Sequence, residues 1–263
     1  MSSTETHDCA VCTKKTTQRC GGCSSLFFCS RDCQKLVWST HKWTCKNGGV
    51  FAVAPLTADE VNALTEREDT ASITSVARFG GAGASILEEM RRNGLYEGEW
   101  EPLMHELSNP PSDMFSPAIR TILICTLRSR LTDSVTSGIV VNGVKQPVMR
   151  GNTFPQHMRL QPWHHICQSV LRVTWAIIDS GDGSSSLDSA PFTDAYPYFH
   201  QMLIAHTLYF SYVENRWNKR LKELGKLAFS RAAVLVEGST LPSGLKQQLP
   251  PFIARTAGLF EER

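Results

Sequence analysis

CAVCTKKTTQRCGGCSSLFFCSRDCQKLVWSTHKWTC, residues 9–45, contains eight residues able to bind a metal: Cys9, Cys12, Cys20, Cys23, Cys29, Cys33, His41 and Cys45. They fall into four pairs with two or three residues inside each pair. Structural zinc takes four nitrogen or sulfur ligands in a tetrahedron, and a pair spaced this closely lets one short turn offer both members to the same ion. Eight ligands therefore suit two zinc ions with both sites closed. Seven of the nine cysteines lie in this stretch, which is too lopsided for a disulfide scaffold and points to metal in a compartment that keeps thiols reduced. Cys125 and Cys167 sit in apolar surroundings and read as ordinary buried thiols.

Apart from Leu26, Phe27, Phe28, Leu36, Val37, Trp38 and Trp43, the stretch has almost nothing apolar to bury, so zinc has to supply its folding energy. Ser30 is placed to cap a short helix starting at Arg31. His41 and Cys45 are four residues apart, so a helix that persists this far presents both on one face. A site closed by four protein ligands leaves no coordination position for water or substrate, which argues against Lewis-acid catalysis. Spacing alone leaves open whether the four pairs are used in sequence or interleaved.

The full pattern, Cys-x2-Cys-x7-Cys-x2-Cys-x5-Cys-x3-Cys-x7-His-x3-Cys, resembles the MYND zinc-finger family at all eight ligand positions. RING fingers also interleave two zincs, but they space the middle ligands differently, and the single histidine at the seventh position favours MYND. The resemblance covers only residues 9–45. It implies interleaved sites: Cys9, Cys12, Cys29 and Cys33 for one ion, and Cys20, Cys23, His41 and Cys45 for the other. It also implies docking onto other proteins. Gln34 and Trp38, four apart on the expected helix, match the Gln and Trp that line the groove in MYND fingers that capture proline-rich peptides. Such a ligand is already extended and loses little entropy on an aromatic surface.

Asn47-Gly48-Gly49 marks a break, giving an expected division into a finger at 1–49 and a mainly helical domain at 50–263. Thr57 and Glu60 form a capping box, with Leu56 and Val61 as a hydrophobic staple, at the start of a helix. Ser85 to Asn93, closed by Gly94, and Glu99 to Leu107 read as two more helices. Ser116-Pro117 begins a buried helix reaching about Leu131. Ile139 to Val148 reads as a hairpin around Asn142-Gly143. Helices are expected from Gln161 to Asp179, from Thr193 to about Lys222 and from Leu224 to Glu237, with Ser180 to Ser189 as a mobile surface loop. The fold class expected is mainly α: a small two-zinc cross-brace finger, then a helical domain with one short β-hairpin.

With 41% hydrophobic and 20% charged residues, the chain can form a real core outside the metal-held stretch. No apolar run is long enough to span a membrane, and Met1 to Asp8 lacks the apolar core of a signal peptide, so an intracellular protein is expected. Residues 1–49 carry a formal charge of +4, but seven zinc-bound thiolates and two zinc ions bring the loaded finger to about +1. That excess is too small for the basic face of a duplex-binding domain, so nucleic acid is not the expected partner. The finger-bearing lysine methyltransferases have SET sequence on both sides of the finger, with an Asn-His-Ser-Cys-like core. Eight residues precede Cys9 here and no such core follows Cys45. A non-enzymatic, protein-docking role is therefore expected. A divergent methyltransferase and a nucleic-acid-binding regulator are the alternatives. Gly80-Gly81-Ala82-Gly83 lacks a complete phosphate-binding pattern and reads as a turn. His164 and His165 read as core or surface histidines, and His200 and His206, six apart on a helix, do not share a face and so do not form a metal pair.

Overall fold

A computed structural model of the chain describes residues 5–77, 85–92, 94–110, 114–132, 138–141, 144–147, 158, 161–180 and 190–260. In chain order the elements are β1 (His7–Asp8), β2 (Lys15–Thr16), α1 (Arg31–Lys46), α2 (Ala58–Ala77), α3 (Ile86–Arg92), α4 (Trp100–Ser108) and α5 (Pro117–Thr132). They continue with β3 (Gly138–Val141), β4 (Val144–Pro147), α6 (Pro162–Ser180), α7 (Ala190–Asp194), α8 (Tyr196–Glu214), α9 (Lys219–Glu237) and α10 (Ser243–Ala257). The mainly helical class with one short hairpin is as expected. Among the described residues, no helix is long and apolar enough to cross a membrane.

The chain forms two compact units, one from 1–54 together with 161–263 and the other from 55–160. These differ from the 1–49 and 50–263 division expected from sequence, because the finger shares a compact unit with the C-terminal helices.

In the unit formed by 55–160, local sequence sets the helix starts. The Thr57 N–H donates to the Glu60 carboxylate (2.8 Å), and the Glu60 N–H donates to Thr57 Oγ1 (3.2 Å), which satisfies two otherwise orphaned donors at the start of α2. Ser85 Oγ accepts from the Glu88 N–H at α3, and Ser116 Oγ accepts from the Ile119 N–H at α5. Gly94 takes a left-handed φ of 64°, where a side chain would be strained. Glu60 has a second role that the capping pattern does not reveal. Its carboxylate receives Nε (2.8 Å) and Nη2 (3.0 Å) of the fully buried Arg128, and this two-point pairing compensates the removal of both charges from water. β3 and β4 pair antiparallel with Val141 opposite Val144, while the turn residues Asn142 and Gly143 lie outside the described residues. So do Gly80-Gly81-Ala82-Gly83 and 181–189, where the glycine turn and most of the mobile loop were expected.

In the other unit, α8 is the central helix. Twelve of its nineteen residues are buried, on every side, which is the pattern of a helix enclosed by its neighbours. The helix expected from Thr193 to about Lys222 is interrupted twice. Pro197 in the first turn of α8 marks its restart after α7. Between α8 and α9, Arg216 (φ 50°) and Trp217 (φ 69°) turn left-handed. Each such turn costs about 1 kcal/mol or more, and packing of the Trp217 ring against Tyr212 at 5.0 Å offsets part of it. Asn218 then caps α9 through the Leu221 N–H. No glycine or proline announces this break. Gly225 lies inside α9 because a Cβ there would collide with the Phe260 ring. α10 contains Pro250 and Pro251, which obscure a helix in the sequence because proline inside a helix removes a backbone donor.

Four histidines lie in or beside this core. His164 Nδ1 accepts from the Gln161 N–H, and the Cys167 thiol donates to the Trp163 carbonyl, so this group closes the first turn of α6. The His206 ring stacks on His165 at 5.2 Å and meets Phe229 edge-on. Neither of its nitrogens has a hydrogen-bond partner among the described residues. Burial holds His206 well below the usual histidine range and takes His200 down to about 3. Both are therefore neutral in the folded protein.

An unfolded histidine binds a proton near pH 6.5. Stability is accordingly complete above about pH 6.5 and declines as pH falls from there toward the depressed folded values, because only the unfolded state takes up protons in that window. His206→Leu should reduce the stability lost between pH 7.5 and 5 by about 1 to 2 kcal/mol relative to the parent, read from urea midpoints. An unchanged pH dependence would mean that His206 is not held neutral by the fold.

Candidate metal centre

Each cysteine pair of the first half of the finger sits on the same kind of turn. Cys9 O accepts from the Thr13 N–H (3.1 Å) and Cys20 O from the Ser24 N–H (2.9 Å), with Thr13 and Ser24 both left-handed at φ 59° and 55°. The ladder of β1 on β2 closes the first turn, and the Cys20 N–H to Leu26 O bond closes the second. Cross-bonds from Ala10 N to Phe27 O and from Phe28 N to Gln18 O tie the two turns together. Cys29 precedes α1, Ser30 caps it by accepting from the Cys33 N–H, and the helix then carries Cys33, His41 and Cys45.

The result is two four-residue sets, Cys9, Cys12, Cys29, Cys33 and Cys20, Cys23, His41, Cys45, with the ligand atoms of each set all within 4.8 Å of one another. The interleaved pairing implied by the MYND resemblance is the one observed. In the first set, Cys12, Cys29 and Cys33 sulfurs lie 3.3, 3.6 and 3.8 Å apart. In the second, Cys20 Sγ is 3.8 Å from Cys45 Sγ and 3.3 Å from His41 Nε2, which is 3.8 Å from Cys23 Sγ. A tetrahedron with zinc–sulfur bonds of about 2.3 Å has edges of about 3.8 Å, whereas a disulfide needs about 2.05 Å. The donors thus fit two zinc ions and exclude disulfides within each set. Gly22 is required by this packing, since a Cβ there would collide with the Cys45 thiol.

Thiol energetics point the same way. Burial and then the neighbouring Cys20 push the Cys45 thiol up to about 11, and burial with the adjacent thiols pushes Cys33 up as well. At Cys9 burial also opposes ionisation, but the N–H groups of Cys29, Cys12 and Val11 outweigh it and bring the thiol down to about 7. Thiols this close cannot ionise together without a cation, and zinc supplies it. Burial lowers His41, keeping its imidazole neutral for coordination.

Two side chains donate to ligand sulfurs of the second set: Gln34 Nε2 to Cys20 Sγ (3.3 Å) and Ser25 Oγ to Cys23 Sγ (3.2 Å). Such contacts orient and steady the ligands. The Trp38 and His41 rings meet edge-to-face with their centres 5.8 Å apart, and Trp38 remains 45% exposed. Other support comes from residues remote in sequence. Thr40 and Thr207 hydroxyls bond at 2.8 Å, Gln201 Nε2 donates to Ala10 O, and Arg231 donates to Cys9 O, so α8 and α9 hold the finger by α1 and by the first turn. No spacing rule could have found these partners.

The comparisons with known proteins agree with this geometry. Residues 9–45 match the MYND finger family. The chain is 38% identical over 52 residues to a SET and MYND domain-containing protein of Dictyostelium discoideum, 46% over 43 residues to SET domain and MYND-type zinc finger protein 6 of Schizosaccharomyces pombe, and 37% over 59 residues to ubiquitin carboxyl-terminal hydrolase 19 of Arabidopsis thaliana. These matches cover 20%, 16% and 22% of this chain and 9% of each relative. No solved structure shows significant similarity. Residues 9–45 are a two-zinc MYND finger.

Purified protein should contain two zinc ions per chain, because each four-ligand set is complete. Cys29→Ser should release the ion shared with Cys9, Cys12 and Cys33 and leave the other in place, read by elemental analysis. Loss of the ion held by Cys20, Cys23, His41 and Cys45 instead would contradict the pairing.

Proposed function

We propose that the protein is a non-enzymatic, intracellular adaptor whose finger docks partner proteins through extended, proline-containing peptides held at Gln34 and Trp38. The observation that carries this reading is the exposure of Trp38, a large flat ring left at the surface of α1 while Val37, Thr40 and Thr44 of the same helix are buried. Exposed aromatic rings are the usual anchors of peptide interfaces. Free thiols suit a reducing compartment. The same finger occurs in relatives named for a SET domain and for ubiquitin hydrolysis, which is the behaviour of a transferable binding module.

Gln34 gives the reading a polarity. Its Nε2 gives one N–H to the sulfur of Cys20, an acceptor, which fixes the amide and leaves Oε1 as an acceptor and the second N–H as a donor for a ligand. A residue other than proline can use both groups, giving its N–H to Oε1 and accepting from Nε2, whereas proline has no N–H to give. Proline belongs on Trp38, with a different residue beside Gln34.

Trp38→Ala should lower affinity for a proline-containing partner peptide about thirtyfold, equivalent to roughly 2 kcal/mol, with zinc content unchanged. Unchanged affinity in a folded, fully metallated variant would sink the groove. Reduced zinc content would make the ring structural. The divergent methyltransferase reading is separated by calorimetry of the full chain with a methyl donor, where the adaptor reading expects no binding.

A further inference from the structure

Arg31, Lys35, Lys42 and Lys46 are the four cations of α1. At about 100° per residue they fall, together with Trp38, within an arc of about 80° around the helix. Asp32, the helix's single acidic residue, lies outside that arc. Arg31, Lys35 and Lys46 are exposed and Lys42 is half-buried. None of the four pairs with a carboxylate among the described residues. Lys42 and Lys46 each lie 5.1 Å from the Trp43 ring centre, which keeps their ammonium groups along the helix surface. Arg31 with Lys35, and Lys42 with Lys46, are like charges four residues apart, an arrangement that destabilises a helix. The opposite face of α1 is buried, with Thr40 bonded to Thr207 of α8. This helix thus carries a stripe of like charge, without a carboxylate partner among the described residues, around its one exposed aromatic ring.

We propose that this stripe binds an acidic linear peptide running along α1, with Asp or Glu on both sides of the proline that rests on Trp38. The proposal rests on the reading of Trp38 as the docking point and adds the charge of the occupant. Lys35 lies about 4.5 Å along the axis on one side of Trp38 and Lys42 about 6 Å on the other. An extended chain advances about 3.3 Å per residue, so the acidic side chains fall within about two positions of the proline. A peptide is favoured over nucleic acid by the range of the field. The same helix carries ligands of a four-thiolate zinc site of formal charge −2 and of a three-thiolate, one-histidine site of −1, which together cancel most of the stripe's attraction beyond a Debye length of about 8 to 10 Å. Carboxylates in direct contact still feel each cation, whereas a long polyanion gains little from afar.

The test is selection from a peptide library with a fixed central proline, using the zinc-loaded full-length protein. Recovered sequences should be enriched in Asp and Glu within two positions of the proline, and their affinity should fall as salt is raised. In the Lys35→Glu, Lys42→Glu double variant this preference should turn to Lys and Arg, with about tenfold loss for the original acidic peptides and zinc content unchanged. In a second library with the central position randomised, the parent protein should select proline there, and Trp38→Ala should lose that preference while retaining the acidic one. Proline peptides recovered without acidic bias, or with the same bias in the double variant, would overturn this proposal and leave the docking role of Trp38 standing. Tighter binding of an oligonucleotide of equal charge would overturn it in favour of nucleic acid. Recovery of no peptide would remove both readings.

Discussion

Four thiols, or three thiols and an imidazole, gathered within 4.8 Å of one another are stable only around a cation, and the N-terminal part of this protein is built on that constraint. Around residues 9–45 the chain has two short turns, a two-residue ladder and one helix, with few apolar side chains to hold them. Zinc substitutes for the missing core. The glycine at position 22, the left-handed Thr13 and Ser24, and the donors Gln34 and Ser25 all serve to bring sulfurs into place or to steady them there.

The consequence reaches beyond the finger. α1 buries Val37, Thr40 and Thr44, and its hydroxyl bond to Thr207 lies next to His206 in the most enclosed helix of the unit. Arg231 and Gln201 hold the carbonyls of Cys9 and Ala10 in the first zinc turn. Loss of zinc would release these contacts together and uncover part of α8. This packing also divides α1 into two faces of different use, one committed to the fold and one, bearing Trp38 and four cations, left to solvent.

What could be read from the sequence was what is local. The spacing of the ligand pairs gave the number of zinc ions, and the MYND resemblance gave the interleaving. Ser30, the Thr57 and Glu60 box, Ser85 and Ser116-Pro117 gave helix starts, because a cap is satisfied within three residues. What could not be read depends on distant partners. Glu60 shows as a cap, yet its pairing with Arg128 spans 68 residues. The Thr40 to Thr207 and Arg231 to Cys9 contacts span 167 and 222. The break at Arg216 and Trp217 has no glycine or proline and is set by the seat of Trp217 on Tyr212. Helix spacing presents Gln34 beside Trp38 as a peptide contact but does not disclose that its donor group also serves a zinc ligand.

Zinc, on these contacts, holds the finger and the C-terminal helices as one folded unit. Amide hydrogen exchange of the full-length protein before and after zinc is removed by a chelator tests it most directly. Protection should fall in α1 and also in α8 around Gln201 to Thr207, while α2 and α5, which belong to the other unit, keep theirs. Loss of protection confined to residues before Gly48, with α8 unchanged, would contradict it and make the finger an independent domain.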